Sequence, residues 1–152
     1  MKEKEILKSG LNRLRYVMKA DVPAEPNPFG EMTAKLLALN AQIRVLHWQT
    51  KSFAEHTALG GFYDSLTWNT DKLIESLQGN IGTITMPEKI EQVFYNMDTI
   101  ESFFGDLLSY GEMVLTDIKN LQPLVAGMDD VKVILDDIQQ AASKLVYLLR
   151  LS

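Results

Sequence analysis

Leu59, Phe62, Tyr63, Leu66, Leu73, Ile74 and Leu77 recur at intervals of three and four residues, with polar side chains between them. A stripe of that period lies on one face of an α-helix, whereas one face of a strand repeats every two residues. The spacing predicts a helix over about 54–78, with Gly79 in the position of a C-terminal stop. Met32, Leu36, Leu39, Ile43 and Leu46 predict another from about Glu31 to Trp48. Ile100, Phe103, Phe104, Leu107, Leu108, Val114, Leu115 and Ile118 predict a third over about 98–120, running through Gly105 and Gly111. A last helix is expected from Asp129 or Asp130, carboxylates well set against the helix dipole, to about Leu149.

The rest of the chain punctuates these helices. Ile6, Leu7, Leu11, Leu14 and Met18 mark an amphipathic helix over 2–19, and the stretch 22–30 then carries three prolines and reads as a connector. Gly82 and Pro87 interrupt residues 80–96, leaving room for one short helix near 88–94. The run Ile81-Gly-Thr-Ile-Thr85 is too short and too glycine-broken for a strand. The expected class is all-α. Residues 1–28 form an amphipathic helix and Pro-rich connector, and residues 29–152 form a four-helix bundle with that N-terminal helical extension.

Composition narrows the chemistry. At 152 residues the chain can bury a core without crosslinks, and it has no cysteine. Disulfide scaffolds, thiol catalysis and thiolate metal sites are therefore excluded. The net charge of −5 argues against a whole-surface nucleic-acid binder. The charged start, Met1-Lys-Glu-Lys-Glu5, leads into no long apolar run, so a cytoplasmic protein without signal peptide or membrane span is expected. No phosphate-binding glycine loop, Ser-His-Asp set or His-Glu-x-x-His motif is present.

Both histidines, His47 and His56, flank the turn between two predicted helices, so their imidazoles can approach. Imidazole ligates iron, zinc and copper, and carboxylates suit iron or manganese beside it. Asp71 and Glu75, four apart on a helix, share a face and can point at one cation. Fifteen residues of helix separate His56 from Asp71, roughly 22 Å. All four residues can therefore meet at one metal only if two chains pack antiparallel about a two-fold axis. The bland alternative is a histidine at each helix end and a solvated acidic face.

The stretch Leu46-His-Trp-Gln-Thr-Lys-Ser-Phe-Ala-Glu-His56, followed by Phe62-Tyr63 and Asp71-x-x-x-Glu75, resembles the Dps miniferritins of the ferritin-like superfamily. The resemblance covers about 31–150, with its specific signal in 46–77, and the His-Trp-Gln-Thr-Lys-Ser wording is similar to a little-characterised, phage-encoded branch. It implies a ferritin-like four-helix bundle forming a homo-oligomer, as a two-fold pair or a closed cage. His47, His56, Asp71 and Glu75 would hold iron at an inter-subunit ferroxidase site, where iron(II) is oxidised by peroxide or oxygen and stored.

Three features depart from that pattern. The connection between the histidines is three residues short, the family's extra carboxylate falls on Gly60, and Gly61 follows it. Glu55 or Asp64 are the nearest substitutes. These departures support an alternative, a catalytically silent bundle with a structural or DNA-associated role. Residues 2–19 carry six basic and two acidic side chains, which would suit DNA phosphates. Their apolar stripe weighs more heavily toward a packed helix with its lysines in water.

Overall fold

The computed structural model describes residues 27–152. The predicted helix over 2–19 and most of the proline-rich connector lie outside the described residues. Among those described, five α-helices and one 3-10 turn make up the regular structure, and there is no strand.

Helix α1 spans Pro28–Gln49. It starts three residues before the expected Glu31. The Asn27 side chain accepts a 2.9 Å hydrogen bond from Phe29 N, and Pro28 occupies the first turn. A proline there forfeits only an N–H that has no helical partner, so the residue read as a breaker is a starter. Helix α2, Phe53–Ile81, is capped by Ser52 and passes through Gly79 without stopping. The stop is Gly82, at φ 84°, whose N–H bonds back to the Gln78 carbonyl.

The helix expected over 98–120 is two helices, α3 (Met97–Phe104) and α4 (Leu107–Lys119). Gly105 takes φ 86°, and Asp106 then caps α4 by accepting a 2.7 Å bond from Ser109 N. That bond and a side-chain one from Ser109 hold the Asp106 carboxyl below its usual range. Gly111 stays helical, and a Cβ on it would stand 3.1 Å from Leu149 Cδ1, so it permits close packing on the last helix. After a 3-10 turn at Gln122–Val125, α5 runs Asp129–Leu149, as expected.

α2 is central, packing along α5 on one side and α1 on the other, while α4 packs on α5. Leu36, Ile43 and Leu46 of α1, Leu59, Leu66, Leu73 and Leu77 of α2, Ile118 of α4, and Leu135 and Ile138 of α5 join one fully buried core. Each such side chain contributes about 1.5–3 kcal/mol of transfer free energy on burial.

Residues 82–96 form no helix, so the one expected near 88–94 is absent. The segment is instead laid along α1 by glutamines. Gln42 donates to the Tyr95 carbonyl and accepts from the Tyr95 N–H, both at 2.7 Å. Gln92 donates to the Ala38 carbonyl at 2.7 Å, and Gln49 accepts from Met97 N at 2.8 Å. Gln42 thereby satisfies the two Tyr95 peptide groups that a helix would have satisfied internally, and Gln49 the Met97 N–H, an unpaired donor of the first turn of α3. No helix among the described residues is long and apolar enough to cross a membrane.

Candidate metal centre

The turn between α1 and α2 is three residues, Thr50 to Ser52, and it is closed by its own hydroxyls. Ser52 Oγ accepts from Glu55 N at 3.3 Å, Ser52 N donates to Thr50 Oγ1 at 3.2 Å, and Thr50 Oγ1 donates to the Glu55 carboxylate. Ser and Glu at this spacing are the usual components of a helix-starting box. Here the glutamate binds the preceding threonine, so its carboxylate is already engaged.

Beyond the turn, a polar seam sets the register of the two helices. Asn40 Nδ2 donates to Thr67 Oγ1 at 2.8 Å. One turn on, Arg44 hydrogen-bonds the Tyr63 hydroxyl and lies 4.3 Å from the centroid of that ring. Each step along α1 is matched by an equal step back along α2. The next step brings His47 level with Gly60 and His56.

There the two imidazoles stack, with centroids 3.8 Å apart and planes 20° from parallel. His47 Nδ1 is 2.9 Å from the His56 carbonyl, and His56 Nδ1 is 2.9 Å from the His47 carbonyl. A carbonyl oxygen only accepts, so each Nδ1 carries the proton and donates. In a neutral ring the lone pair then sits on Nε2. The latch fixes both tautomers and the orientation of both rings. Gly60 forms the floor, since a Cβ there would lie 3.0 Å from His47 Cε1 and 3.3 Å from Nδ1.

The carboxylates are placed elsewhere. Asp71 and Glu75 are both exposed, one turn apart on α2, and they do not reach the histidines of the same chain. Among the described residues no three His, Asp or Glu side chains converge on one point. Asp64 is also exposed, and position 60, where the resemblance expects a carboxylate, is filled by the His47 ring. Trp48, Phe53 and Trp68 flank these residues and are 71%, 83% and 69% exposed, an unusual display of aromatic surface.

Sequence reasoning located the histidines but missed Arg44 and the seat at Gly60, and it took Tyr63 only as a packing residue. The spacing of Asn40, Arg44 and His47 along one side of α1 was the available signal. The sequence profile of a family of unknown function (DUF5856) matches residues 47–149. The chain belongs to that family. The matched span opens on His47 and contains all four candidate ligands, Gly60 and the turn that pairs the histidines. No curated protein and no solved structure matches the chain.

Proposed function

We propose that the protein is a Dps- or ferritin-like iron-binding protein that oxidises iron(II) at a site shared between two subunits. The observation that carries this reading is the reciprocal histidine latch at the end of α1 and the start of α2, which engages each Nδ1 and leaves each Nε2 as the ring nitrogen outside the latch. In this reading α1, α2, the broken pair α3–α4 and α5 form a ferritin-like four-helix bundle. A second copy packs antiparallel on the outer face of α1 and α2, covering Trp48, Phe53 and Trp68. Its Asp71 and Glu75 then complete the histidines' site, and oxygen or peroxide takes the electrons. The iron is substrate and cargo. A closed cage in the cytoplasm, protecting against peroxide, is the assembly this chemistry serves.

The test is iron(II) oxidation with oxygen and with peroxide, comparing the native protein with a His47→Ala, Asp71→Ala double variant. The native protein is expected to oxidise iron clearly faster than buffer, and the variant to fall to the buffer rate. Native rates equal to buffer would instead favour a catalytically silent bundle with a structural or DNA-associated role. The ring occupying position 60 is the feature that favours that second reading.

A further inference from the structure

Around the bundle α1 packs on α2, α2 on α5 and α5 on α4, but α1 and α4 have almost no direct packing on each other. A groove of about 610 Å³ lies between them, with the 82–96 segment along one side. Leu36, Leu39, Met113, Ile118 and Leu124 line it, and Leu39, Met113 and Leu124 are only half-buried. Glu91 stands exposed on one wall and Asp117 on the other, with Lys35 the only cation among the lining residues. Among the described residues Asp117 has no basic partner.

The chain ahead of Asn27 has the length, pattern and charge to fill this groove. α1 begins at Pro28, and Lys35, the first of its groove residues, lies about 10 Å along it. Residues 20–26 can reach about 20 Å as an extended, proline-rich chain, enough to turn residues 2–19 back along α1. As a helix, Leu7, Leu11, Leu14 and Met18 would make a stripe of about 16 Å. The α4 wall runs about 12 Å from Tyr110 to Ile118 and continues through Leu121 and Leu124. At helical spacing Lys4, Lys8, Arg15 and Lys19 fall together on one flank of the stripe, and Ser9 falls opposite it. Residues 27–152 carry nine basic side chains against sixteen acidic ones, while 2–19 carry six against two, so the charges are complementary. We propose that residues 2–19 dock as a helix in the α1–α4 groove of their own chain. The leucines cover the half-buried walls and supply most of the stabilisation, since exposed ion pairs contribute little. The basic flank meets Asp117 or Glu91 and is thereby turned away from nucleic-acid phosphates.

The chain has no cysteine, so a single introduced thiol reports on one place. The experiment measures how fast a maleimide labels the full chain carrying Met113→Cys, Leu39→Cys or Val133→Cys, the last exposed on α5 outside the groove. Each is made in the native background, with Leu11→Asp and Leu14→Asp together, and with Ser9→Asp. Positions 113 and 39 should label about tenfold or more slowly in the native background than with the stripe broken. Ser9→Asp should match the native background, and position 133 should label alike throughout, which shows the body intact. Equal rates at 113 and 39 with and without the stripe would overturn the proposal, as would release by Ser9→Asp. Protection that fades on dilution would give the groove to another copy's segment and overturn docking within one chain.

Discussion

Gln42 is almost completely buried, and both ends of its amide serve the main chain of one residue, Tyr95. Truncation would leave a peptide N–H and a carbonyl without partners beneath the 82–96 segment. Gln42→Ala is expected to lower stability by about 2–4 kcal/mol, read as a lower urea midpoint with an unchanged slope. Gln42→Glu should be at least as damaging, because a carboxylate accepts from Tyr95 N–H but has nothing to donate to the Tyr95 carbonyl. Equal midpoints for native and both variants would dismiss the clamp as decorative. Residues of this kind carry little trace in a sequence. His47 and His56 could be picked out because histidine is scarce and ligating, whereas Gln42 is one polar side chain among many. The role of Gly60 depends on a ring thirteen residues earlier, so no local pattern discloses it.

Helices were legible where apolar period and capping agree, and misread where a conformational break leaves the period in phase. Phe103 and Phe104 are followed by Leu107 and Leu108 at helical spacing, so the stripe crosses Gly105 undisturbed. The break lies in the backbone, with φ 86° at Gly105 and an aspartate cap directly after it. Gly105→Ala is accordingly expected to destabilise by about 1–2 kcal/mol, since an L side chain is strained at that φ. An unchanged melting temperature would argue against the break. The ends of α2 and α5 are also tied. Asp130 accepts from Asn80 Nδ2 at 2.9 Å and Ser76 Oγ at 3.2 Å, and the Asn80 bond is the main cause of a carboxyl held below its usual range. The folded protein therefore binds that proton less readily than the unfolded chain. The contribution is present above the ordinary aspartate value of about 4, and it is lost as pH falls through the lowered folded value. Asp130→Asn should be less stable than native near neutrality, and the two curves should converge in acid once the pH lies below the lowered folded value. A gap independent of pH would show that the pairing carries no charge dependence.

At the scale of the whole molecule, the all-helical class followed from periodicity alone, while the course of residues 82–96 did not. That segment has no pattern of its own because its partners are the amides of Gln42 and Gln49 on α1, together with its own Gln92 reaching back to Ala38. The same arrangement has a consequence for how the chain could be divided. Residues 27–81 form one hairpin and residues 97–152 the other, and their union runs through the buried face of α2 against α5, not through the covalent link between them. Lys89 and its neighbours stand exposed on that link, and Lys89 pairs with Glu91. A site-specific protease sequence inserted at Lys89 and then cut should leave two fragments that co-elute at the native mass and separate only in denaturant. Fragments that part in buffer would show that the link itself holds the halves together. If they stay together, the protein behaves as a complementing pair, able to be made as two separate peptides that find each other.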